Sequence, residues 1–247
     1  MFKEALEAGS LEGGAKPERP IGFFKGASEV PMYSGDVPYP EYQEAFFYYL
    51  FGATEMDCYG IIDFKEEKAY LFAPKLDNFY KIWMTTLSKD EYKKKYPLIE
   101  EMCYTDEIEE VLKAIKPDAI YLNKGVNSDS GLTTMIPEDT MYSKACPDVK
   151  VDSVSMHNIL AESRVIKNDE EIEIMRWASK ITCEAHCNVM RNVKPGQRES
   201  QLESFFVYDC QQKYFVGRVQ PYLSICGCGP GAATLHYHDN NKWLVDG

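Results

Sequence analysis

The chain has no long apolar run. Its longest, Ala45 to Ala53, covers nine residues, against the roughly 20 that a membrane-spanning helix needs, so no segment is expected to cross a bilayer. The first twenty residues hold four Glu and no apolar stretch, which excludes a secretory signal or a basic transit peptide and leaves a loose cytosolic leader as the expectation. Clustered cations are missing too. The one basic run, Lys93-Lys94-Lys95, is flanked by Asp90, Glu91, Glu100 and Glu101, whereas a phosphate-binding surface needs its cations clustered and unopposed. Nucleic acid is therefore not an expected partner. No internal repeat is visible, so repeat architectures are not expected.

Cysteine is present but unpatterned. The eight residues (Cys58, Cys103, Cys146, Cys183, Cys187, Cys210, Cys226, Cys228) are irregularly spaced, which points to reduced thiols in a reducing compartment, the cytoplasm, rather than to a disulfide framework. The close pairs Cys183/Cys187 and Cys226/Cys228 lack the two-residue spacing of common zinc motifs, and no second pair stands at a matching distance. Histidine is scarce, with four residues. His157 and His186 stand alone and read as structural; His236 and His238 are the pair worth following.

What is present describes a globular chain long enough for one large domain or two smaller ones. Hydrophobic residues make up 45% and aromatics 13% of the 247 residues, enough to exclude a mainly disordered chain and to fill its cores. The net charge of −12 is unevenly shared. Residues 1–157 carry 17 Lys and Arg against 28 Asp and Glu, while residues 158–247 carry 10 against 11. The acidity reads as a solvated face on the first part.

In chain order, Ile21 to Phe24 is a short strand, and Tyr42 to Phe51 is an aromatic-rich buried element ending at Gly52. The runs 58–64 and 69–74 bracket Lys65-Glu66-Glu67-Lys68 and predict a hairpin. Asn78 to Leu87 is expected to be helical. So is Thr105 to Ile115, where Ile108, Val111, Leu112 and Ile115 share a face, Thr105 is the expected N-cap and Pro117 enforces a stop. Ala119 to Asn123 reads as a buried strand. In the following Gly-Val-Asn-Ser-Asp-Ser-Gly (125–131), the short polar side chains predict a turn, since no terminal Glu completes a calcium loop. Strands alternating with helices make this first part α/β. Beyond a boundary near residues 152–159, Asn168 with Glu171 predicts a capping box opening a long helix whose stripe is Ile172, Met175, Ala178, Ile181 or Thr182, Ala185 and Val189. Lys194-Pro195-Gly196 ends it, and a second helix follows from Glu199 to about Lys213, burying Leu202, Phe205 and Phe206.

The last stretch, Arg218 to Gly247, carries the chemistry. Tyr222 to Cys226 and Thr234 to His238 read as two strands around a turn marked by Gly227, Gly229 and Gly231. In alternating geometry Thr234, His236 and His238 share one face, and Leu235 and Tyr237 the other. The order of glycine turn, Leu235-His236-Tyr237, Asp239-Asn240-Asn241 and Asp246-Gly247 resembles the entry to the catalytic half of the pita-bread metallopeptidases, the M24 family of aminopeptidase P and prolidase. The 125–131 turn and residues 51–64 are similar to the N-terminal domain of its eukaryotic prolidases. Pro230-Gly231 departs from the Glu-Asn usual in that family.

The resemblance implies an α/β N-terminal domain of the creatinase/aminopeptidase P type over 20–157, followed by the start of an α+β pita-bread domain over 158–247, halted before the metal ligands. It implies hydrolysis of dipeptides with a C-terminal proline in a full-length enzyme, with two Mn2+ whose two Asp, one His and two Glu ligands find no match in this chain. His236 is the implied catalytic and substrate-contacting residue, and Tyr222 the implied pocket residue. A homodimer, a proline-containing dipeptide as partner and a cytoplasmic location complete the expectation. The other readings are a metal-free peptide- or protein-binding module, an aminopeptidase P acting on longer peptides, and creatinase-like chemistry.

Overall fold

Alternation along the strands decides the first part of the fold. The computed structural model describes residues 16–40, 42–218, 220 and 222–246, so most of the expected leader falls outside the described residues. The chain divides into two units, Met1–Ile166 and Lys167–Gly247. In the first, six strands form one mixed sheet: β1 (Pro20–Lys25), β2 (Tyr59–Asp63), β3 (Lys68–Ala73), β4 (Glu101–Tyr104), β5 (Ala119–Leu122) and β6 (Lys150–Asp152), in the order β4-β3-β2-β1-β5-β6. The β1/β2 and β2/β3 pairs are antiparallel, and the others are parallel. Both faces of such a sheet must be covered, and the strand sequences are apolar on both.

Successive residues of β1 and β5 serve opposite cores. Ile21, Phe23, Ile120 and Leu122 face helix α3 (Ile108–Ile115) and meet its Ile108, Leu112 and Ile115. Phe24, Ala119 and Tyr121 face the other way, toward α1 (Ala45–Phe51), α2 (Lys89–Lys95) and α4 (Ser155–Ser163), which contribute Phe47, Phe51, Tyr92, Met156 and Leu160. A one-residue slip in register would exchange the two cores, so the pattern fixes the pairing. Glycine is required where β2 passes the end of α1. A Cβ on Gly60 would stand 2.2 Å from the Phe51 ring, a distance no real carbon pair tolerates.

Several expectations hold. The 58–64/69–74 hairpin is β2 and β3, α1 ends on Gly52 in the left-handed region (φ 63), and the 125–131 segment is a turn. There the Asn127 Oδ1 accepts from the Asp129 and Ser130 backbone N–H groups at 3.0 and 2.9 Å, the local bonding that favours Asn in turns. The basic run ends α2, where Lys93, Lys94 and Lys95 sit in the last turn opposite an acidic first turn and a Ser88/Glu91 capping box, a placement favoured by the helix dipole.

Others need correction. Asn78–Ile82 forms a short 3-10 helix, not a longer α-helix. Thr105 does not cap α3; it opens a 3-10 turn (Thr105–Glu107), and Glu107 occupies the N-cap position. In α1, Phe47 and Phe51 are buried but Tyr48 and Tyr49 are exposed. The boundary expected at 157/158 falls inside α4, whose Met156 and Leu160 belong to the first core. His157, in the same helix, lies over Gly125, with its Nδ1 3.0 Å from Asn123 Oδ1. Burial of that helix moves the division to Ile166/Lys167.

In the second unit, Asn168 and Glu171 form the expected capping box. Helix α5 (Asp169–Asn192) and helix α6 (Glu199–Tyr214) pack through Ile181, Ala185, Phe206 and Cys210. Of the α5 stripe, Met175 and Ala178 stay exposed. Leu202 and Phe205 of α6 are half-buried, whereas Phe206 is buried.

Candidate functional site

The site belongs to the second unit and is built on the start of α6. Glu199, the first residue of that helix, is fully buried. Its Oε1 accepts the Cys228 backbone N–H at 2.7 Å; its Oε2 accepts the Tyr237 hydroxyl at 2.7 Å and the Lys242 backbone N–H at 3.0 Å. Burial alone would raise this carboxyl, but the hydrogen bonds from Cys228, Tyr237 and Lys242 outweigh it and hold the pKa at about 2. Tyr237 answers in the opposite direction: donation to the Glu199 carboxylate, reinforced by burial, pushes its phenol up to about 12.

Around this carboxylate the tail is tied back onto the α5–α6 junction. Glu199 N–H donates to Lys242 O at 3.0 Å, Leu244 N–H to Gln197 O at 2.8 Å and Gly196 N–H to Leu244 O at 2.9 Å. Arg198 stacks its guanidinium 4.7 Å from the Trp243 ring centre. Asn240 makes a second anchor: its Oδ1 accepts from Cys226 N–H at 2.9 Å and its Nδ2 donates to Ser224 O at 2.7 Å. Asn240 is buried and has φ 43, a left-handed conformation that asparagine enters more readily than most residues.

The hairpin expected from Tyr222 to His238 is not formed. Among the described residues, neither Tyr222–Cys226 nor Thr234–His238 is a strand, and Gly229–Ala233 is a 3-10 helix with Pro230 in its first positions. Pro230 has no N–H for a ladder and its fixed φ suits a helical first turn. The backbone of 224–226 is meanwhile bonded by the Asn240 side chain instead of a partner strand. The expected apolar face fails with it, since Leu235 is 86% exposed while Tyr237 is buried.

Tyr222 lines a pocket of about 430 Å3 with Val189, Leu202, Phe206, Leu223, Ile225 and Leu244, and its ring lies 6.4 Å from Phe206. His186, read from the sequence as structural, stands at the same pocket, its ring 5.0 Å from Phe206. His236 is exposed and does not line the pocket. Its ring centre is 6.2 Å from that of His238, so the two imidazoles stay neighbours without the strand. The residues missed by sequence reasoning are Glu199 and the anchoring role of Asn240. An acid at a helix start is common, so Glu199 gave no signal; Asn240 was visible only as part of a polar turn.

Residues 9–121 match the family described as aminopeptidase P, N-terminal domain, and residues 173–247 match metallopeptidase family M24. The chain is a relative of the M24 metallopeptidases. The Xaa-Pro dipeptidase of Pongo abelii is 39% identical to this M24 relative over 214 residues, 86% of this chain and 42% of its own length. The Xaa-Pro dipeptidase of Homo sapiens is 38% identical, with the same shares covered. A solved structure of proline aminopeptidase P II from Yersinia pestis superposes with a TM-score of 0.75 at 26% identity, covering 100% of this chain and 56% of its own. The chain thus spans less than half the length of these curated relatives. Its fold is the expected one: an aminopeptidase P-type N-terminal domain followed by the start of an M24 domain.

A divalent metal is what the similarity of residues 173–247 to metallopeptidase family M24 implies. Among the described residues no three His, Cys, Asp or Glu side chains group as a metal site, so the ligand set does not fit within them. The Cys183/Cys187 and Cys226/Cys228 pairs bring no such group together either, and all eight cysteines are free. No helix among the described residues is long and apolar enough to cross a membrane.

Proposed function

We infer that this chain carries the N-terminal domain and the substrate-holding side of an Xaa-Pro dipeptidase, which hydrolyses dipeptides ending in proline. The observation that carries this reading is the 38–39% identity, over 86% of the chain, to proteins named Xaa-Pro dipeptidase. The pocket chemistry supports it. A pyrrolidine ring is compact and apolar, and the Val189, Leu202, Phe206 and Leu244 lining offers it van der Waals contact and desolvation. Tyr222 stands at this pocket with its hydroxyl as a polar handle, and His236 supplies an imidazole that donates to a developing negative charge on a carbonyl oxygen. In this reading manganese is the metal, held by residues outside those described. The assembly is a homodimer and the compartment is the cytoplasm.

The test uses the native polypeptide captured through an epitope in residues 51–131, with its intact mass measured in the same preparation. Manganese-dependent release of proline from Gly-Pro, lost in H236A, supports the reading. Failure to hydrolyse any Xaa-Pro dipeptide in the presence of manganese sinks it, and peptide retention without hydrolysis would make the protein a binding module instead.

A further inference from the structure

We propose that Glu199 is a positioning residue for His236, acting through Tyr237. The inference rests on the reading that His236 contacts substrate, but the geometry behind it is independent of that reading. Residues 232–236 are all exposed and belong to no strand, so burial of their own side chains does not fix where His236 sits. The next residue, Tyr237, is buried, and its hydroxyl is held at 2.7 Å by the Glu199 carboxylate. The same carboxylate holds Cys228 on the other side of the exposed loop. One buried anion on the rigid start of α6 therefore fixes both ends of the segment that carries His236. Three donors converge on it and no cation shares it as an ion pair among the described residues, so a neutral amide of the same size cannot replace it. Glutamine offers one acceptor oxygen and turns an NH2 toward donors.

The experiment measures backbone amide order parameters by NMR on the full 247-residue chain, in the wild type, E199Q and Y237F. The wild type should give His236 a value near the rigid limit of about 0.85, and both variants should drop it below about 0.6, while Ala185 in α5 keeps its wild-type value. Unchanged His236 order in both variants overturns the proposal. Should E199Q also loosen Ala185, Y237F decides alone, since it removes one hydroxyl and leaves the carboxylate and ring in place. Titration of Gly-Pro into the wild-type chain is read separately at His236. An ordered His236 that does not respond to the dipeptide would count against the substrate reading while leaving the positioning role intact.

Discussion

Replacing Gly60 with alanine tests the packing of β2 against the Phe51 ring. The added Cβ would lie 2.2, 2.4 and 2.7 Å from the Phe51 ring carbons Cζ, Cε2 and Cε1, and a carbon pair needs about 3.5 Å. The ring must then retreat by roughly 1.3 Å. It has nowhere to go: Phe51 is 4% exposed and is braced by Phe47 at 4.8 Å and Phe24 at 5.9 Å between ring centres. Overpacking of this kind costs about 1–3 kcal/mol, and a ring braced on two sides puts G60A near the upper end. Phe51→Ala alone should cost about 3–5 kcal/mol for the lost ring and the cavity. In that background the methyl on residue 60 enters empty space, so the second substitution should be close to neutral and the coupling about 3 kcal/mol. Hydrogen exchange of the β2 amides measures this locally, as about a hundredfold loss of protection in G60A that disappears in the F51A background. An equal cost of G60A in both backgrounds would refute the claim that the Phe51 ring is what requires glycine there.

In the second unit, Asn168→Ala should remove the capping box of α5 and cost about 1 kcal/mol, read as faster exchange in the first turn of that helix with α6 unaffected. Asn240→Ala leaves Cys226 N–H and Ser224 O without their partner. It should cost about 1–3 kcal/mol in the thermal unfolding of this unit. The folded-state pKa of Glu199 is depressed from 4.5 to about 2. Its contribution to stability is therefore fully present above about pH 4.5 and is lost as the pH falls through the folded value near 2. Urea midpoints measured across that window should decline in the wild type and decline less steeply in E199Q; identical slopes would contradict the assignment.

Much of the molecule was legible from local pattern. Short apolar runs identified β1 and β5, and two β-rich runs bracketing Lys65-Glu66-Glu67-Lys68 identified β2 and β3, because strands covered on both faces must be apolar on both. Helices α5 and α6 were legible through their start and stop residues, Asn168 with Glu171, then Pro195 and Gly196. The short strands β4 and β6 and the helices α2 and α4 were not identified in the sequence. They are only three to nine residues long, and their identity comes from the neighbours they pair with or cover.

The family motif around His236 was legible as a string of residues, and its geometry was not. By itself the sequence determined that His236 and His238 stand two apart, that Tyr222 precedes a glycine-marked turn, and that Pro230 removes a donor from that turn. Whether those residues form a hairpin depends on where the backbone N–H and C=O groups of 224–226 find partners. The tertiary structure decided this in favour of Asn240, from 14 to 16 residues further along the chain. It also made Glu199 the anchor of the loop, across separations of 29 to 43 residues. No periodicity records such pairings, because a buried carboxylate finds its donors only once the chain has folded back on itself.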